Sequence, residues 1–154
     1  MKNLRQWELT HTAPYSLYLA ADQRLSQTDY TDDQVWEIVI GTKDSPALTM
    51  QTKYGGRVGL ASIVPLWTHD GRIIYQAQTY HQAPVITAFS PAYIAVEAKL
   101  LPTVALKAEH IAFDSKVVGG IYTLINSGDK DVKLRCELFG HVGARGKEEK
   151  LSII

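Results

Sequence analysis

Only one cysteine, Cys136, occurs among the 154 residues, so the chain cannot form an internal disulfide. It lies on the apolar parity of a predicted strand, together with Leu134 and Leu138. This pattern favours a small buried core residue over a catalytic nucleophile, because free cysteine is among the most buried residue types. A chain without disulfides is also compatible with the reducing conditions of the cytoplasm.

The sequence has no excess of charge of either sign, since 16 lysine and arginine residues balance 16 aspartate and glutamate residues. Without a basic field or a basic run, nucleic acid is not an expected partner. No apolar stretch approaches the roughly 18 residues that a membrane helix needs, and the amino terminus contains no apolar run of signal-peptide length. We therefore expect a soluble cytoplasmic protein that binds neither nucleic acid nor membrane.

Motifs for catalysis, metal binding and nucleotide binding are also missing. The sequence contains no nucleophile elbow, phosphate loop or dinucleotide fingerprint. Paired carboxylates occur at Asp32-Asp33 and Glu148-Glu149, but both pairs lie in polar stretches where burial cannot tune one partner into a general acid. The histidines lack the close spacing of local metal motifs: His11, His69, His81, His110 and His141. We predict no catalytic residue, no metal site and no cofactor in this chain.

Short runs of β-branched and aromatic residues, separated by turn residues, make up most of the sequence. His69-Asp70-Gly71 is a hairpin signal, and the polar link at residues 76–83 has room for one helical turn. About ten short strands with turns between them indicate an all-β fold, an antiparallel β-sandwich that forms a single domain over residues 1–154. Before residue 116, the predicted strands are residues 6–10, 16–20, 35–40, 47–53, 58–67, 72–75, 84–89, 92–101 and 104–113.

The longest strand signal covers residues 116–140 and predicts a β-hairpin. Its arms, residues 117–125 and 132–139, are separated by Asn-Ser-Gly-Asp-Lys-Asp, which is typical of a turn. Because both parities of the first arm are apolar, we expect that arm to be buried on both faces. Gly119-Gly120 within it predicts a bulge or a close backbone approach.

Three aromatic residues near strand ends are candidates for stacking on a sugar ring: Trp67, Tyr75 and Tyr80. Exposed aromatic rings offer an apolar face and a polar edge to such a ligand. The alternative is that these rings belong to the core, which is their usual place in a sandwich. We prefer the core interpretation and keep carbohydrate binding as the second one.

The chain ends in an apolar tail, Leu151-Ser152-Ile153-Ile154, after a charged stretch. We expect this tail to pack against a sheet of its own chain or of a neighbour, because a sandwich has open edges. A homodimer through the tail or through an edge strand is therefore a further expectation.

Three segments carry a resemblance to a known family: GRVGLASIVPLW, ITAFSPAYIAVEAKLLP and VVGGIYTLINSGDKDVKLRCELFGHVG. In this order they resemble the N-terminal β-sandwich of large bacterial glycoside hydrolases of the glucoamylase and glycogen-debranching kind. The most specific part is Thr-Leu-Ile-Asn-Ser-Gly at residues 123–128 with the strand that follows at residues 134–139, and the resemblance covers residues 55–143.

The resemblance implies a supersandwich-like accessory domain without catalytic residues, which is either the N-terminal part of a longer glycoside hydrolase or a short chain that acts beside one. In such enzymes the catalytic carboxylates belong to a following (α/α) barrel. The implied partners are that catalytic domain and an oligosaccharide. The alternative is a free-standing interaction module that self-associates through an edge strand or the apolar C-terminus.

Overall fold

The computed structural model describes residues 9–10, 16–19, 36–41, 45–52, 58–90, 92–113 and 117–144. This part of the chain is almost entirely β and forms two antiparallel sheets, which confirms the predicted all-β sandwich. None of its helices is long and apolar enough to cross a membrane. The strands are β1 (Leu9–Thr10), β2 (Ser16–Leu19), β3 (Trp36–Val39), β4 (Thr49–Thr52), β5 (Val58–His69), β6 (Arg72–Ile74), β7 (Gln82–Ser90), β8 (Tyr93–Leu101), β9 (Val104–Ala112), β10 (Val118–Asn126) and β11 (Arg135–Ala144).

The first sheet has the strand order β1-β7-β8-β9-β10. Its strand β9 shows the alternation expected of a strand with one face on the core, because every second residue from Val104 to Ala112 is buried. Strand β8 is more apolar, and Ile94, Val96 and Leu100 on it are fully or almost fully buried. The sheet therefore presents one continuous apolar face.

The second sheet has the strand order β11-β5-β4-β3-β2, and β6 pairs with residues 67–69 of β5. Its inward residues include Ile38, Met50 and Trp67, which belong to the same core cluster as Leu106 and Ala108 of the first sheet. The apolar layer between the sheets thus accounts for the sandwich. Burial of each large side chain in such a layer contributes about 1.5–3 kcal/mol.

The hairpin predicted at His69-Asp70-Gly71 is confirmed, since His69 pairs with Arg72 across a two-residue turn. Asp70 and Gly71 both have positive φ, 47° and 75°, as a type I′ turn requires. The helical turn predicted in the polar link is also present, as a 3-10 helix at Ala77–Thr79. Both features depend on residues that are close together in the sequence, Asp70-Gly71 in the turn and Gln76 with Thr79 at the 3-10 helix.

The predicted hairpin at residues 116–140 is wrong. Strand β10 pairs with β9 in the first sheet, whereas β11 pairs with β5 in the second sheet. The connection crosses between the sheets because half-buried Val132 and Leu134 pack against the core. At its start, the Ser127 N–H donates to the Thr103 carbonyl (2.8 Å), which ties the loop to the β8–β9 turn.

The expectation that the first arm is buried on both faces is also wrong, because β10 is an outer strand and most of it is exposed. Of the two alternatives for Gly119-Gly120, the close approach is confirmed, since the pairing with β9 runs through both glycines without a register shift. A Cβ atom on Gly120 would lie 3.0 Å from Nδ1 of His110. The glycine therefore makes room for the histidine ring.

Several predictions fall on residues outside the described ranges. They concern the carboxylate pairs Asp32-Asp33 and Glu148-Glu149, His11 and the apolar tail at residues 151–154. These stay predictions.

Gly41 lies where the backbone allows no side chain. Its φ is 111°, and a Cβ atom there would lie 2.8 Å from Cα of Ala47, whose N–H donates to the Tyr75 carbonyl. We expect Gly41→Ala to lower the free energy of unfolding by more than the ~1–2 kcal/mol that a left-handed backbone alone costs an L-residue. Denaturant unfolding measures this loss.

Gly71→Ala is the matched control, because φ is also positive there (75°) but no atom lies within 4 Å of the added Cβ. Gly71→Ala should lower the free energy of unfolding only by the cost of placing an L-residue in the left-handed conformation. Equal losses for the two variants would contradict the close contact at Gly41.

Candidate functional site

Strands β10 and β11 are outer strands of their two sheets and lie on the same side of the sandwich. The register shows which residues of β10 and β11 face inward: Gly120 is opposite buried His110, and Cys136 is opposite buried Trp67. Leu138 is opposite Pro65, which is also buried. The inward faces of both outer strands therefore continue the core layer, and they line one opening between the sheets.

A cavity of about 110 Å³ lies at this opening. This is on the scale of an engineered cavity of about 150 Å³ that holds a benzene molecule. The walls are mostly apolar, and the His110 imidazole and the Tyr122 phenol are the ionisable groups among them. The lining residues are Met50, Ile63, His110, Val118, Gly119, Gly120, Tyr122 and Leu138.

His110 is only 5% exposed and lies between Gly120 and Tyr122. The rings of His110 and Tyr122 meet edge to face, with centroids 5.6 Å apart. Burial lowers the pKa of His110 to about 4, so the ring is neutral at pH 7. Its Nε2 atom has no hydrogen-bond partner among the described residues. The cavity wall thus contains a buried, neutral imidazole among mostly apolar side chains.

Tyr122 links the cavity to an aromatic group deeper in the core. Its ring meets that of Trp67 edge to face, with centroids 5.6 Å apart and an interplanar angle of 79°. Burial raises the pKa of Tyr122 to about 12. Burial raises the pKa of Tyr80 as well, and the Trp67 indole beside it offsets part of that rise. Although the two are neighbours, Trp67 Nε1 and the Tyr80 hydroxyl form no hydrogen bond of normal geometry.

The structure brings Trp67 and Tyr80 together, but within the core. Trp67 is 1% exposed and Tyr80 is 5% exposed, so neither ring presents an open face for stacking. Tyr75 is half-buried, and its backbone N–H donates to the Thr79 hydroxyl (2.9 Å). These positions favour the core interpretation of the sequence, and carbohydrate binding by these residues stays a prediction.

The predicted burial of Cys136 is wrong, because the residue is exposed. Cys136 has the inward parity, as predicted. Because β11 is the last strand of its sheet, the first sheet leaves the Cys136 side chain exposed. Partial burial still raises the pKa of the Cys136 thiol, and the adjacent Glu137 carboxylate raises it further.

Large apolar side chains are exposed on β10 and β11, and one of them, Leu138, lines the cavity. Ile121 is 66% exposed and Leu138 is 60% exposed. We call this group the apolar edge surface, and it consists of Ile121, Leu124, Ile125, Leu138, Phe139 and Val142. Several large apolar side chains exposed on two outer strands are a feature of sites of association. Sequence patterns did not predict this surface, because apolar residues on both parities of β10 indicate a strand that is buried on both faces.

The outer face of the first sheet carries a polar group instead. The Tyr93 hydroxyl donates to Glu109 Oε1 (2.5 Å), and Lys107 Nζ lies 3.1 Å from the same oxygen. These contacts hold the pKa of Glu109 below its usual range, with the Tyr93 hydrogen bond as the largest cause. In the described part of the chain, His, Cys, Asp and Glu form no cluster of three or more that could hold a metal ion.

Comparisons with known proteins gave no relative: the chain matches no protein-family model, no curated protein and no solved structure.

Cys136 is expected to react stoichiometrically with a thiol reagent in the native protein, because it is exposed. Its raised pKa should make the reaction slower at pH 8 than that of a fully exposed thiol, since the thiolate is the nucleophile. Labelling followed by mass spectrometry in native buffer and in denaturant measures both rates. Protection until the protein unfolds would contradict the open edge.

The neutral state of His110 should make stability depend on pH. Because the unfolded residue takes up a proton near pH 6.5 and the folded one only near pH 4, the free energy of unfolding should fall as the pH falls through this window. The full loss is on the order of 3 kcal/mol. His110→Gln should remove this part of the pH dependence in denaturant titrations.

Proposed function

We propose that this chain is a non-catalytic β-sandwich accessory domain that works by docking, and that its partner is the catalytic domain of a carbohydrate-active enzyme. The observation that supports docking is the apolar edge surface, which lies on two neighbouring outer strands instead of being scattered singly. The nature of the partner rests on the sequence resemblance to bacterial glycoside hydrolases. In this proposal the catalytic carboxylates belong to an (α/α) barrel and not to this domain.

Burial supplies the driving force for such docking. Each large apolar side chain that leaves water contributes about 1.5–3 kcal/mol at full burial. Phe139, which is 55% exposed, and Leu138 on the opposite face of β11 would both gain from a partner surface. Arg135 and Glu137, whose side chains lie 2.6 Å apart at the start of β11, supply polar groups at the rim of the apolar edge surface.

An oligosaccharide contact and a cytoplasmic location belong to the same proposal. The sugar contact falls on Tyr75, because its ring is the least buried of the three predicted aromatic residues. The cytoplasmic location rests on the single cysteine, which cannot form an internal disulfide.

The second candidate function is a free-standing interaction module that self-associates through an edge strand. The observation that favours it is the composition of β10, which contains no charged residue over its full length. Natural edge strands usually carry charges or prolines that prevent pairing with another chain.

Photo-crosslinking from the apolar edge surface tests the proposal. Phe139 is replaced by benzoylphenylalanine in the producing cells, and the adducts are identified by mass spectrometry. We expect an adduct with the catalytic domain of a carbohydrate-active enzyme. The same replacement at Ile73, which is exposed on β6, is the control and should give no such adduct.

An adduct with a second copy of this chain alone would move the conclusion to the second candidate function. If Phe139 gives no adduct beyond the Ile73 control, docking through the apolar edge surface is wrong.

A further inference from the structure

Among the long outer strands described here, β10 alone lacks protection against pairing. Strand β11 carries Arg135, Glu137 and His141, and its register with β5 shifts between Gly143 and Ala144. Strand β10 reads Val-Gly-Gly-Ile-Tyr-Thr-Leu-Ile-Asn, and its pairing with β9 is regular from end to end. A flat, uncharged outer strand is a template for another strand.

The order of residues in β10 makes it complementary to itself. In an antiparallel pair of two identical strands around a two-fold axis, directly opposite residues must point to the same face of the sheet. If Tyr122 lies opposite Tyr122 of a second copy, Gly120 lies opposite Leu124 and Gly119 lies opposite Ile125. Leu124 and Ile125 then each lie opposite a glycine, and no charged groups meet.

This register also places a side chain at the mouth of the cavity. Gly120 and Leu124 both belong to the inward parity of β10, since they pair with buried His110 and Leu106. The Leu124 side chain of the second copy would lie beside Gly120, over which the His110 ring packs, with Nδ1 3.0 Å from the position of a Cβ atom. The cavity of about 110 Å³ between His110, Ile63 and Leu138 has apolar walls that suit this side chain.

The outer face fits the same register. Ile125 of the second copy would lie opposite Gly119, where the ring of exposed Phe113 lies 2.8 Å from the position of a Cβ atom. Ile121 would lie opposite Thr123. Both faces of the pairing therefore cover apolar side chains that are exposed in the single chain.

We infer that two copies of this chain pair antiparallel through β10, with Tyr122 opposite Tyr122, and that Leu124 of each copy fills the cavity beside His110 of the other. The inference rests on the proposal that the apolar edge surface is a docking surface. The partner that pairs with β10 is a second copy of this chain.

Sedimentation equilibrium of the purified chain is the first test. We expect a mass of twice 17.1 kDa. Leu124→Lys should shift the equilibrium to the monomer by at least tenfold, because it places a charge in an apolar cavity. Ile73→Lys on exposed β6 is the matched control and should remain a dimer. Circular dichroism checks that both variants are folded.

Disulfide trapping tests the register without disturbing the cavity. In a Cys136→Ser background, Ile121→Cys and Thr123→Cys are prepared separately, the second with a mass tag. Directly opposite residues have Cα atoms about 4.5–5.5 Å apart, which suits a disulfide, whereas diagonal ones lie about 7–8 Å apart. We therefore expect a mixed disulfide when the two variants are combined and oxidised, and none with either variant alone.

A monomeric mass for the wild type, a dimeric mass for folded Leu124→Lys, or a disulfide formed by either cysteine variant alone would overturn the inference. That outcome is distinct from failure of the docking function, because a photo-adduct from Phe139 to another protein would still support docking when the purified chain is a monomer.

Discussion

The described structure depends on one apolar layer, in which the inward side chains of β9 lie in a cluster with those of β3, β4 and β5. Removing this apolar surface from water is the main favourable contribution to folding. The layer is complete only where strands of both sheets face each other. At β10 and β11 the same inward parity continues, but the side chains meet solvent. The burial of Trp67 and the exposure of Cys136, its cross-strand partner, follow from this single difference.

The parts of the fold that depend on local chemistry could be predicted from the sequence. Asp70-Gly71 specifies a type I′ turn because both residues must adopt positive φ, and the flanking strands then pair with little loop entropy to lose. The strand ends were less predictable, since residues 132–139 were predicted as a strand where β11 covers Arg135–Ala144. The connection after Asn126 has equally good turn residues, yet it leads to the other sheet. There, the burial of Val132 and Leu134 decided between two partners that the turn residues alone could not distinguish.

The candidate site was much less accessible to sequence reasoning. Its cavity draws residues from five strands, and no spacing in the sequence brings Met50, His110 and Leu138 together. His110 was placed on a strand, and its alternation with Leu106 and Ala108 predicts that it faces the core. The sequence does not show whether a strand of the other sheet buries a given inward residue. The aromatic residues illustrate the same limit, because Trp67 and Tyr75 occupy similar sequence contexts but differ in burial.

An uncharged outer strand is a hazard unless something limits what can pair with it. In β10 the restriction would come from shape. Gly119 and Gly120 add no side chain to the edge, although the Phe113 and His110 rings pack over them, whereas Leu124 and Ile125 require space on the partner. A strand therefore fits both halves when its own order of small and large residues is reversed. The antiparallel second copy satisfies this condition by symmetry. A generic apolar strand would leave a void at one half or a clash at the other, and both reduce affinity relative to the fitting partner. The glycine pair would therefore have two roles, since it admits the His110 ring within the chain and makes the edge selective toward other chains.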